Sequence, residues 1–309
     1  MLTLFSTPKP FRGHIGIIQR NAIRSWTLLH PDCEVILFGD EEGAREAARE
    51  FAIRHEPRVL RNESGTKFLN YLFARAEEIA RHDLLCYINC DIILTPPFLE
   101  AVQRVASWSH SFLMVGRRWD VDITAPWGFD SIDWPRRLQE FAGHQGRQQS
   151  VDWIDYFVFR SGLYRDIPAF VIGRVGWDQW LLWKARSLKV PVVDASAVVM
   201  AVHQNHDYSY HPEGKTGVWN DEQAQRNYEL AGGPKHIYSI DDATHTLTAH
   251  GIRPNRWHSF APLRRAVART RSRGWFTLLS LTRPLRHRLG LRQATLASLS
   301  AKVPWLKSR

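Results

Sequence analysis

Strand-like and helix-like runs alternate through the first 94 residues, and few folds accept that order. "LTLFS" (Leu2–Ser6) and "EVILFGD" (Glu34–Asp40) are short, largely apolar runs that read as buried strands. Between them "IGIIQRNAIRSWTLL" repeats apolar residues at helical spacing until "HPDC" breaks it. "EEGAREAAREFAIRH" reads as an amphipathic helix with acidic residues in its first turn, where they suit the helix dipole. "RVLRNESGT" holds a short strand and a loop, "KFLNYLFARAEEIAR" a third helix, and "LLCYINCDIIL" (Leu84–Leu94) another strand. Such an order predicts an α/β fold, a mainly parallel, doubly wound sheet with helices on both faces. In such sheets ligands bind beyond the carboxyl ends of the strands.

The later chain adds fewer, more scattered elements. "DWPRRLQEFAGHQ", "GWDQWLLWKARSLK" and "GVWNDEQAQRNYELAGG" read as helices, and "DYFVFRSGLY" (Asp155–Tyr164) as a strand ending in a turn. "VPVVDASAVVMAVHQNH" holds one or two further strands. The expected division is an α/β domain over 1–255, in two halves (1–110 and 111–255), then a basic extension over 256–309.

That boundary follows from charge. The chain carries a net +10, yet from Ala261 to Arg309 there are 12 Lys plus Arg and no Asp or Glu. The rest, with 29 basic and 31 acidic residues, is close to neutral. The basic balance therefore describes the tail and does not mark a nucleic-acid-binding core. Arginines interleaved with Leu, Trp, Phe and Val suit the surface of an anionic membrane. Three cysteines without a CxxC spacing argue against a disulfide-built domain and for a reducing compartment. "MLTLFSTPKPF" is too short in its apolar part for a signal peptide, and no window is long and apolar enough to span a membrane. The expected location is cytoplasmic, peripheral on a membrane.

Four stretches carry candidate chemistry. Asn89 and Asp91 stand two apart at a strand end, where extended chain would turn both toward one ligand; a plain turn explains them equally well. "VMAVHQNHDYSYHPEG" places His203, His206 and His211 after an apolar strand, as metal ligands or as solvated loop residues. In "GRVGWDQW" Asp178 opens a helix, either as its N-cap or as a general base beside Trp177. "VDWIDYF" offers Asp152 and Asp155, three apart around Trp153, for the hydroxyls of a bound ligand, or a turn at the start of a strand. A further stretch, "NESGTKFLN" (Asn62–Asn70), sets Gly65 and Thr66 at an expected helix N-terminus, where free N–H groups can hold an anion. It is not a phosphate loop, since GxxxxGK[ST] is absent.

Together these features resemble a GT-A-type nucleotide-sugar glycosyltransferase, over roughly residues 1–245, and the resemblance implies a nucleotide-binding half (1–110) and an acceptor-binding half (111–255). "YINCDIIL" is similar to that family's metal-binding strand end, with Asn89 where a first carboxylate often stands. The resemblance implies a divalent cofactor, Mn²⁺ or Mg²⁺, on Asp91 and His203, with His206 the second choice. It implies Asp178 as the base toward the acceptor hydroxyl, and Trp153, Asp155 and Trp177 around the acceptor. It implies a nucleotide-sugar donor lined by Ser6 and Thr7 of "LFSTPKPF", by Gly65, Thr66 and Asn70, and by Asn89 and Asp91. The implied acceptor is a glycan or lipid-linked glycan. The rival expectations are a sugar-phosphate nucleotidyltransferase, which would favour a Gly-rich basic loop after the first strand, and a non-catalytic sugar-binding protein of the same fold.

Overall fold

The computed structural model describes residues 1–207 and 218–255. The first half follows the alternation closely: β1 (Leu2–Ser6), α1 (Gly13–Thr27), β2 (Glu34–Phe38), α2 (Ala44–Glu50), β3 (Arg54–Glu56), α3 (Leu69–Ile79) and β4 (Leu84–Ile88). One boundary moves. The run read as a single helix ending at His55 stops at Glu50, and its last residues form β3. Ala52 takes a positive φ of 52° at this reversal. The following elements are β5 (Ile92–Ile93), α4 (Pro97–Trp108), β6 (Leu113–Val115), β7 (Arg118–Val121), α5 (Trp134–Gln145), β8 (Arg147–Gln148) and β9 (Tyr156–Arg160). Then come α6 (Trp177–Ser187), β10 (Val192–Asp194), β11 (Ala201–Gln204), α7 (Glu222–Leu230), β12 (His245–Thr248) and β13 (Gly251–Pro254).

Nine strands form the main sheet in the order β13-β12-β10-β6-β9-β4-β1-β2-β3. Pairings are parallel except around β9, which runs antiparallel to β4 and β6, and at the edge strand β13. Strand side chains alternate between two cores. Leu2, Leu4, Cys86 and Ile88 face one, with Trp26 of α1 and Val102 of α4. Phe5, Leu85 and Tyr87 face the other, with Phe73 of α3 and Leu181 of α6. Burial on both faces is why β1 and β2 are buried at every position and read as nearly unbroken apolar runs.

Two arrangements position the site. From β1 the chain winds outward through β2 and β3, then returns across to β4 on the other side of β1. That reversal opens a crevice at the carboxyl ends of β1 and β4, where Ser6, Thr7, Asn89 and Asp91 lie. A second sheet, β5-β11-β7-β8, starts at this rim with β5 directly after Asp91 and is absent from the sequence-based expectation. It packs on α5 through Ile93, Val121, Leu138 and Val202. The expectation of a helix N-terminus with free N–H groups at Gly65 and Thr66 is corrected: α3 starts at Leu69, after an extended Phe68. Thr66 N–H instead donates to Asn62 Oδ1 at 2.8 Å, inside a tight reversal closed by the Arg61–Lys67 bridge.

Candidate active site

β4 ends in a turn closed by Ile92 N–H donating to Asn89 O at 3.2 Å. The turn sends the two polar side chains to different partners. The shared ligand expected from an extended i, i+2 pair is therefore corrected. Asn89 Nδ2 donates to Asp155 Oδ1 at 2.5 Å, and Asn89 N–H donates to Asp155 O at 2.9 Å. Asp91 faces the histidines: its Oδ2 lies 3.2 Å from His206 Nε2 and 3.8 Å from His203 Nε2. One ligand atom from each of Asp91, His203 and His206 fits within 4.8 Å of the others. His206, the second choice from sequence, is the closer imidazole. His211 lies outside the described residues.

The small sheet builds this cluster. In β11, His203 is in register with Ile92 of β5, the residue after Asp91, and with Asp120 of β7. Gln204 then fixes the turn, its N–H and Nε2 donating to Asp91 O at 3.2 and 3.1 Å. Burial alone would raise the Asp91 pKa, but His203, His206 and Lys9 outweigh it and hold the carboxyl well below its usual range. Asp91 Oδ1 is buried and has no hydrogen-bond partner. A buried carboxylate with one oxygen unpartnered and the other facing two imidazole nitrogens is an arrangement a divalent cation completes.

Lys9, not singled out in the sequence, approaches from the loop after β1. Its Nζ lies 3.3 Å from His206 Nε2. Gln19 grips its peptide from both sides, accepting from Lys9 N–H at 2.6 Å and donating to Lys9 O at 2.9 Å. Burial lowers the Lys9 pKa against the opposing pull of Asp91 and Asp207.

Asp178 lies in the first turn of α6, behind Gly176, whose φ of +100° strongly favours glycine. The N-cap alternative does not hold: Gly176 is the cap, and no side chain caps the helix. Asp178 Oδ1 is shielded and has no hydrogen-bond partner. Burial, and to a smaller extent the charge of Asp155, push its pKa up to about 7 despite backbone N–H donors.

The residues expected around an acceptor divide. Trp177 is corrected from a sugar platform to a core residue: it is 5% exposed and packs its ring against Tyr87 and Phe157. Asp155 is likewise corrected from acceptor contact to buried counter-ion, because its two oxygens are taken by Asn89 and by Arg118 Nη1 at 3.0 Å. Trp153 does border the site, with the Arg118 guanidinium 4.5 Å from its ring centre. Trp219, missed in the sequence, stands edge-on to Trp153 at 5.7 Å and is 41% exposed.

Of the residues expected around a donor, Ser6 is buried at the end of β1 beside Cys90. Thr7 donates to Phe38 O at 2.8 Å and accepts from Lys67 Nζ at 2.5 Å. The buried Lys67 also pairs with Glu41 at 2.5 Å. Asn70, in the first turn of α3, has a buried Oδ1 without a partner. Arg118, Asp120 and Lys9 had no signal in the sequence, because ordinary surface charges look the same until the topology folds them inward.

No protein-family model and no curated protein match the chain. Solved structures do show likenesses. One is S. aureus TarS 1–349 in complex with UDP-GlcNAc, 13% identical with a TM-score of 0.44, covering 66% of this chain and 59% of that one. Another is M. tuberculosis glucosyl-3-phosphoglycerate synthase with Mn²⁺, UDP and glucosyl-3-phosphoglycerate, 13% identical, TM-score 0.46, covering 76% and 81%. The same enzyme with Mg²⁺ and UDP is 14% identical, with a TM-score of 0.45.

Proposed function

We propose that this chain is a metal-assisted glycosyltransferase that moves a sugar from a nucleotide-diphosphate donor to a hydroxyl of a glycan or lipid-linked glycan. One observation carries the reading: Asp91, His203 and His206 converge at the carboxyl end of β4, in the crevice where the strand order reverses. Two imidazoles and one carboxylate suit Mn²⁺ better than Mg²⁺, which prefers an all-oxygen shell. When bound there, the ion would supply positive charge opposite the leaving diphosphate.

The remaining work falls to the chain's own groups. Lys9, clamped by Gln19, adds a second cation at the same edge. Asp178 takes the proton from the attacking acceptor hydroxyl. Its pKa near 7 gives a carboxylate basic enough to accept that proton and ionised enough to be ready. A base acting directly on the acceptor implies inversion at the anomeric carbon. Trp153 and Trp219 offer aromatic edges and faces for the acceptor ring. The basic segment 256–309 holds the enzyme at an anionic surface, where a lipid-linked acceptor would lie. The structure contains no helix among the described residues that is long and apolar enough to cross a membrane.

The test is product analysis with a panel of sugar nucleotides, Mn²⁺ and simple acceptors. The expected product is nucleoside diphosphate, with the transferred sugar inverted. Pyrophosphate from a nucleoside triphosphate and a sugar phosphate would identify a nucleotidyltransferase. Absence of turnover with every donor would leave a binding protein.

A further inference from the structure

The carboxylate absent at Asn89 has a counterpart on a different strand. Asp120 of β7 sits directly across from His203 of β11. Its Oδ2 accepts from Gln149 Nε2 at 2.8 Å and from Arg118 Nη2 at 3.5 Å. Its Oδ1 then stands 3.2 Å from His203 Nδ1 and 2.7 Å from Arg118 Nε. All three of these facing atoms are buried and within contact distance, though none is aligned in a hydrogen bond. His203 is only 7% exposed, and its other nitrogen faces Asp91. The imidazole is thus sandwiched between two carboxylates. Arg118 balances the outer one and also pairs with Asp155 at 3.0 Å, the residue that holds Asn89.

We propose that Asp120 is the positioning residue of this site. It draws Nδ1–H of His203 toward itself and so leaves the Nε2 lone pair facing Asp91. A carboxylate on the far nitrogen fixes tautomer and ring plane and makes the near nitrogen a better ligand. Through His203 it sets a carboxylate behind the site, where Asn89 supplies none. The role toward a metal rests on the function proposed above; the control of the tautomer does not.

Two measurements on the full chain separate these. In metal-free protein, ring-nitrogen NMR of His203 is compared between wild type and Asp120→Asn. The wild type is expected as the Nδ1–H tautomer, and the variant with a large Nε2–H fraction. Free Mn²⁺ measured by EPR is expected to show roughly 10–100-fold weaker binding in the variant, the usual size of such an outer-contact effect. An unchanged ring signature, or Mn²⁺ affinity within twofold of wild type, overturns the proposal. If wild type itself binds no Mn²⁺, the metal reading falls and the ring signature alone decides the role of Asp120. Gln149→Leu loosens Asp120 without removing it and is expected to shift both readouts less, in the same direction. It decides the matter if Asp120→Asn does not fold.

Discussion

Asn89 shows why residue identity in a motif is not enough. Asp155 already holds a full charge, neutralised by Arg118, and Asn89 completes it by donating an N–H at 2.5 Å. Asn89→Asp would replace that donor with a second carboxylate against the first. The expected result is a loss of about 2 kcal/mol of stability in denaturant titration, and no gain in Mn²⁺ affinity. Asp178 gives a pH-dependent counterpart. Its folded pKa of about 7 stands above the usual 3.8, so the folded state binds this proton more tightly than the unfolded one. Its contribution is neutral below the unfolded pKa and becomes unfavourable as pH rises from about 4 to about 7. Asp178→Asn removes that cost. Its stability relative to wild type should therefore be about 2 kcal/mol more favourable at pH 8 than at pH 5. The same variant should lose transfer activity, while wild-type kcat/KM climbs with pH to a plateau above about 7.

Helices and strands of the first half were legible because each side of the sheet is covered, which leaves long apolar strands between amphipathic helices. β5, β7, β8 and β11 were not legible as one sheet. They are two to four residues long, and their partners lie up to about a hundred residues away, so neither periodicity nor turn residues announce the pairing. Asp91, His203 and Asp178 were readable as polar residues at strand and helix ends. The partners that define them, Asp120, Arg118 and Lys9, were not, since only the small sheet and the Gln19 clamp bring them in. Two element-level outcomes follow. Gly176→Ala places a Cβ at φ +100° and should cost about 1–2 kcal/mol while displacing Asp178, so kcat should fall with donor KM little changed. Trp219→Ala removes an exposed ring from the proposed acceptor side and should raise acceptor KM several-fold while leaving Mn²⁺ affinity unchanged.

Asp91, His203 and His206 converge within the chain's first 255 residues, while the excess positive charge lies in the remainder. If that segment meets an anionic surface, co-sedimentation of the full chain with vesicles should require anionic lipid and should fade as salt rises toward 0.5 M. Equal binding to neutral vesicles would dismiss it. The chemistry itself stands or falls at Asp91. Nucleoside diphosphate release from the preferred donor, titrated with Mn²⁺ in wild type and in Asp91→Asn, tests it most directly. The account predicts saturable Mn²⁺ activation in wild type, its removal by a chelator, and a loss of at least about 100-fold in the variant at any Mn²⁺ concentration. Release that proceeds equally in both proteins, with Mn²⁺ and with chelator, would contradict it.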